Sequence, residues 1–222
     1  MFPPAVIFDF DGVIVNTEPI HYKAFQTILQ PLGLGYSWDV YQEIYMGYDD
    51  RDAFREAFAA GKRSLDDLQL RQHIEQKALL FEKIIADGVT PYPGVLELVK
   101  TLTAHSIPLA ICSGALRSDI LPILKQFNIT SHFTTIITAE DVQQSKPHPA
   151  SYLRAKAALI DSFSHLGTMA NKITAIEDTP AGISSAKGAN LQVVAVTNSY
   201  AAEKLAQADR IVATLDELIG KW

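Results

Sequence analysis

The feature that most constrains this chain is the alternation that begins after Pro91-Tyr92-Pro93-Gly94. From there to the C-terminus, short apolar segments at Pro108–Cys112, Phe133–Thr138, Ile173–Glu177, Gln192–Thr197 and Ile211–Val212 are separated by stretches with the apolar spacing of amphipathic helices. Parallel neighbours need a crossover connection, so strand–helix alternation with short links predicts a parallel sheet covered by helices on both faces. The run Val6-Ile7-Phe8 belongs to the same sheet by its composition, although it lies far upstream.

Between them the pattern is helical. Asn16 or Thr17 can cap a helix whose first turn takes Glu18 and Pro19 and whose inner face takes Phe25, Ile28 and Leu29, with Pro31-Leu32-Gly33 ending it. Further helices are expected around Trp38–Met46, Arg51–Ala60 and Leu65–Ala86, broken at Gly47 and Gly61, and no convincing strand falls between Ser37 and Gly88. The predicted class is therefore α/β: a Rossmann-like parallel sheet formed by residues 1–16 and 91–222, plus an all-helical cap inserted at residues 17–90. Linkers near 15–17 and 88–94 would join the two.

Composition narrows the function. The longest apolar runs are of strand length, so no membrane segment is expected. With 25 acidic against 19 basic residues, a formal charge of −6 and no basic stripe, the chain lacks the usual electrostatic source of nucleic-acid binding. A lone cysteine, Cys112, cannot form an internal disulfide and reads as a small core residue. The N-terminus runs into the first strand without a signal-like segment, so the expected location is cytoplasmic. No repeated apolar seam stands out, which makes monomer the default, and a small-molecule substrate is the expected partner.

In open parallel sheets, ligands bind beyond the C-terminal ends of the strands. The first strand ends in Asp9-Phe10-Asp11-Gly12, with two acids spaced to share one face of an extended chain. A calcium loop of the EF-hand type does not fit, because the required glycine falls on Ile14. Ser113 and Gly114 follow the next strand; the hydroxyl and nearby N–H groups can hold a phosphate oxygen, and the pair reads equally as an ordinary turn. No nucleophile elbow or triad is present. Lys146 lies in Ser-Lys-Pro-His-Pro, where two prolines stiffen the backbone around a cation, and His148 reads as a loop or cap residue. Glu177 and Asp178 close another strand, and adjacent acids there are costly without a cation. Magnesium, which prefers oxygen ligands, suits a site built from Asp9, Asp11 and Asp178, while Asp178 or Thr179 can also cap the next helix.

Together, Asp9-Phe-Asp11-Gly-Val, Ser113 after an apolar strand, Lys146 in Lys-Pro, and Glu177-Asp178 ahead of Ala-Gly-Ile resemble the four motifs of the haloacid dehalogenase superfamily, in the same order. The chain is most similar to its helical-cap phosphatase and β-phosphoglucomutase group. That resemblance implies an aspartyl-phosphate on Asp9, acid/base work by Asp11, phosphoryl binding by Ser113 and charge neutralisation by Lys146. It also implies Mg²⁺ held by Asp9, the Asp11 carbonyl and Asp178, with Glu177 at or near the same shell. An acid at position 11 favours phosphate esters over the dehalogenase branch. Thr17 and His21 match positions near the family's acid/base hinge, and His21 follows the first motif by one helical turn.

The mutase pattern Lys-Gly-x-x-Arg meets Met46-Gly47-Tyr48-Asp49-Asp50-Arg51 here, so Met46 replaces the lysine and the arginine comes one position late. Arg51 and Arg117 are candidates for reaching substrate and read equally as surface charges. The expected activity is a Mg-dependent phosphatase acting on a small phosphorylated metabolite, a sugar phosphate in the first instance. A sugar-phosphate mutase is the alternative, and a phospho-acceptor signalling domain is a further one.

Overall fold

The protein is described here by a computed structural model covering residues 2–222. Six parallel strands, β1 (Val6–Phe8), β2 (Leu109–Cys112), β3 (Phe133–Ile137), β4 (Thr174–Glu177), β5 (Gln192–Val196) and β6 (Arg210–Val212), form one sheet in the order β3-β2-β1-β4-β5-β6. The chain moves outward from β1 to β3 and then returns to the other side of β1. Phe8 is thus in register with Ile111 of β2 and Ile176 of β4, and the C-terminal ends of these strands lie side by side at the switch in strand order.

Alternation along β1 divides the core into two layers. Val6 and Phe8 face α5 (Val95–Ala104) and α6 (Arg117–Gln126), whereas Ile7, Ala110 and Cys112 face α7 (Ala150–Ser162) and α8 (Pro180–Gly188). Cys112 is fully buried in the second layer, as its position before Ser113 predicts.

Residues 18–85 contain helices and no strand. Here lie α1 (Glu18–Leu29), α2 (Trp38–Val40), which continues as a wider π turn over Tyr41–Tyr45, α3 (Asp50–Ala60) and α4 (Asp67–Ile85). Phe25, Leu29, Tyr45, Phe54 and Phe58 give this segment its own core, while Phe81 and Ile85 of α4 pack into the first sheet layer. Asp49 and Asp66 cap α3 and α4 through their carboxylates, so these helices start within two residues of the sequence expectation. Thr17 stands at the start of α1 but makes no cap, because its hydroxyl is turned toward Asp11. Among the described residues no helix is long and apolar enough to cross a membrane.

One buried cation joins the helical segment to the sheet layer. Lys77 of α4 is fully buried, with its Nζ 2.9 Å from Asp50 of α3 and 3.3 Å from Asp119 of α6. Burial opposes its charge, but the Asp50 and Asp119 carboxylates outweigh that and hold Lys77 above the ordinary lysine range. Lys77→Met keeps the apolar bulk and leaves two buried carboxylates uncompensated. It is expected to lower the unfolding free energy by about 3–5 kcal/mol, read from urea denaturation; a loss below about 1 kcal/mol would show that the ion cluster contributes little to holding the parts together.

Candidate active site

The first catalytic candidate follows directly from β1. The Asp9 N–H donates to the Ile176 carbonyl at 2.9 Å, carrying the sheet ladder one residue past the strand and fixing the carboxylate at the sheet edge. Gly12 then turns the chain with φ of +78°, and a Cβ there would lie 1.8 Å from Asp178 Oδ2. Only glycine allows this backbone to approach the acid at the β4 tip so closely. Asn198, beyond β5, holds the turn by donating to the Gly12 carbonyl at 2.7 Å.

Lys146 lies between two acids. Its Nζ is 2.8 Å from Asp9 Oδ1 and 2.7 Å from Glu177 Oε1, and its side chain is 7% exposed. Glu177 is saturated by the protein: Oε1 also accepts from the Tyr152 hydroxyl at 2.8 Å, and Oε2 accepts from the N–H groups of Asp178 and Thr179 and from the Thr179 hydroxyl. Asp178 Oδ2 accepts from Ser199, whereas its Oδ1 is buried and reached by no protein donor. Asp178 does not cap α8; Thr179 does, accepting the Gly182 N–H at 3.0 Å.

Charge is unbalanced at this point. Ligand oxygens of Asp9, Glu177 and Asp178 all lie within 4.8 Å of one another, with the Lys146 ammonium as their near cation. Burial, followed by the Glu177 carboxylate, pushes Asp9 up to about 8 despite Lys146. Burial, followed by Asp9 and Glu177, holds Asp178 well above the carboxylate range. Oxygen-only donors, mutual repulsion and an orphaned Asp178 Oδ1 together fit a divalent cation.

Asp11 is in a different environment. Its Oδ1 accepts from the Thr17 hydroxyl and lies 3.3 Å from His21 Nε2, while Ser113 donates to Oδ2 at 3.4 Å. Burial works against its charge, but the hydrogen bond and charge of His21 and the Thr17 hydroxyl outweigh it, so its carboxyl is held below the usual range. The His21 ring is itself stacked on Phe81 at 4.4 Å. Ser113 is fixed by its own N–H to Ile137 and by accepting the Ala115 N–H at 2.9 Å.

Asp9, Asp11, His21, Gly114 and Lys146 line one cavity, and the helical segment closes it with Glu18, Tyr41, Tyr48 and Asp50. Two sequence candidates lie elsewhere. Arg51 binds Asp49 and the carbonyls of Ala139 and Val142 and lines an adjacent groove. Arg117 binds Asp141 and the Ile136 carbonyl, with its side chain 41% exposed. Neither lines the Asp9 cavity. The sequence reading assigned no site role to Glu18, Tyr41, Asp50, Tyr152, Asn198 or Ser199. The last two follow β5, so inspecting that strand tip as well would have found them.

The chain belongs to the haloacid dehalogenase-like hydrolase family, whose pattern matches residues 6–196. It is 28% identical over 191 residues to a Thermotoga maritima phosphorylated carbohydrates phosphatase, covering 85% of this chain and 82% of that one. In structure it is similar to CbbY from Rhodobacter sphaeroides in complex with phosphate, with a TM-score of 0.85 and 24% identity over 98% of this chain and 96% of that one. It is also similar to β-phosphoglucomutase from Clostridium difficile, with a TM-score of 0.82 and 23% identity over 98% and 93% of the two chains.

The tight fit around Glu177 can be tested without assaying activity. A Cβ at Gly182 would fall 1.9 Å from Glu177 Oε1, whereas one at Gly114 meets nothing within 4 Å. Gly182→Ala is expected to cost about 1–3 kcal/mol in urea unfolding, and Gly114→Ala less than about 0.5 kcal/mol. Equal losses would contradict the close packing of α8 on Glu177.

Proposed function

We propose that the protein is a Mg²⁺-dependent phosphatase that hydrolyses a small phosphorylated metabolite, a sugar phosphate in the first instance, through an aspartyl-phosphate on Asp9. The observation that carries this reading is the pairing of Asp9 with the buried Lys146 ammonium, two residues from an acid held by Thr17 and His21. Phosphoryl transfer depends mainly on positioning and on neutralising oxygens in line with the nucleophile, and these residues are suited to both. In this reading residues 17–90 act as a cap over a core of 1–16 and 91–222.

An Asp9 oxygen attacks phosphorus while the ester P–O bond breaks and Asp11 delivers a proton to the departing alkoxide. The approaching phosphoryl dianion raises the otherwise low pKa of Asp11 by like-charge repulsion, which loads the proton it must give. Asp11 then takes a proton from water, whose oxygen attacks phosphorus and releases Asp9 and inorganic phosphate. Ser113 and the Gly114 backbone hold phosphoryl oxygens, and Lys146 offsets the charge gathered between them and Asp9. Asp9, the Asp11 carbonyl and Asp178 would hold Mg²⁺, with Glu177 beside them. When bound, the ion neutralises phosphoryl oxygen charge.

The mutase reading is less well supported. Met46 is packed in the apolar core of the helical segment and Arg51 is tied to Asp49, so neither offers a cation to a second phosphate in the cavity. A signalling receiver would need neither an acid at Asp11 nor a helical cover over the nucleophile.

With Mg²⁺ and para-nitrophenyl phosphate, Asp9→Asn is expected to fall to background and Asp11→Asn to lose about 100- to 10,000-fold. Chelation should abolish turnover and added Mg²⁺ restore it. With β-glucose 1-phosphate and a bisphosphate primer, free phosphate should form instead of glucose 6-phosphate. Turnover that survives Asp9→Asn, or a stable phosphoprotein without turnover, would refute the hydrolase.

A further inference from the structure

Apart from His21, which is turned to Asp11, the helical segment gives the cavity a wall whose charged side chains are acidic. Glu18 and Asp50 both face the cavity, beside Tyr41 and Tyr48. The Tyr41 hydroxyl donates to Glu18 at 2.5 Å. The basic groups near this wall already have partners: His21 pairs with Asp11, Lys146 with Asp9 and Glu177, Lys77 is fully buried between Asp50 and Asp119, and Arg51 is held on the adjacent groove. Lys77 with its two carboxylates still carries a net negative charge, to which Glu18 adds acidic character.

Asp50 has a further peculiarity. It is 8% exposed, and Oδ1 is satisfied by Lys77 at 2.9 Å, yet Oδ2 is buried with no protein donor in reach. A buried carboxylate oxygen without a donor is unfavourable, and a hydroxyl entering the cavity relieves it. A carboxylate or phosphate entering the same space meets like charge in a poorly solvated setting, where repulsion is strong.

We infer that Asp50 is a specificity-determining residue: its Oδ2 accepts a hydrogen bond from a hydroxyl of the leaving group, so the site selects phosphomonoesters of neutral polyols. Esters that carry a second phosphate or a carboxylate are rejected by the same wall. This rests on the phosphatase reading and narrows it to a substrate class. Specificity of this kind combines an attractive contact with a repulsive one, and Asp50 supplies both.

The test compares kcat/KM across matched esters: glycerol 1-phosphate, propyl phosphate and phosphoglycolate, and fructose 1-phosphate against fructose 1,6-bisphosphate. The wild-type protein is expected to prefer each hydroxyl-bearing monophosphate over its alkyl or doubly anionic counterpart by about tenfold or more, the effect of one hydrogen bond to a charged group. Asp50→Asn should shrink both ratios several-fold. Asp119→Asn disturbs the same Lys77 cluster away from the cavity and should leave the ratios as they are. Wild-type turnover of the doubly anionic esters equal to that of the monophosphates would overturn the inference, as would Asp50→Asn and Asp119→Asn shifting the ratios alike. Para-nitrophenyl phosphate separates the two levels of failure: its hydrolysis without the expected selectivity overturns this inference alone, and no turnover of any ester overturns the phosphatase reading with it.

Discussion

The site depends on one buried ammonium facing more negative charge than it can balance. Lys146 reaches Asp9 and Glu177 at once, while Asp178 lies in the same oxygen cluster. Every surrounding element serves that arrangement. Tyr152, Thr179 and two backbone N–H groups saturate Glu177, which holds it fixed beside Lys146. The remaining deficit of positive charge falls on Asp9 and Asp178, whose raised pKa values show how poorly a dry pocket tolerates it. An oxygen cluster with this shortage of positive charge fits a cation.

Sheet order explains how residues so far apart in sequence meet. β1 is central, so its tip is flanked by the tips of β2 and β4, and the acids, the serine and the Glu-Asp pair arrive on one edge without a long loop. The glycine at 12 then lets the first loop approach Asp178 closely enough to form one cluster. Topology thus supplies the site's location, and a single backbone permission supplies its density.

This also explains what could be read from the sequence. Strand periodicity and strand-tip chemistry are local signals, so the parallel sheet, the helical insert and the residues at the tips of β1, β2 and β4 were legible. Long-range pairings were not. Nothing near Lys77 in the sequence announces Asp50 and Asp119, and its helical surroundings read as an ordinary amphipathic face. Arg51 in the cap-loop pattern and Arg117 early in the helix after Ser113 read as candidates for reaching substrate, but carboxylates and carbonyls nearby in space hold them away from the cavity. Thr17 looked like a helix cap, and the competing acceptor Asp11 draws its hydroxyl instead.

Two buried lysines, each between two carboxylates, divide the work of the molecule. Lys146 organises the sheet edge, and Lys77 ties the helical segment to α6. Polar contacts across the same seam, from Asp52 to Ser145 and from Arg51 to the carbonyls of Ala139 and Val142, hold the cavity covered. Asp50 belongs to both systems, since one oxygen completes the Lys77 cluster, the other is buried without a protein donor, and the residue lines the cavity. A ligand hydroxyl that engages Oδ2 therefore acts on the residue that helps keep the cover in place. In the proposed reading, recognition of the leaving group and exclusion of water from the phosphoryl group would be linked through one carboxylate, since excluding water strengthens the charge interactions around Asp9.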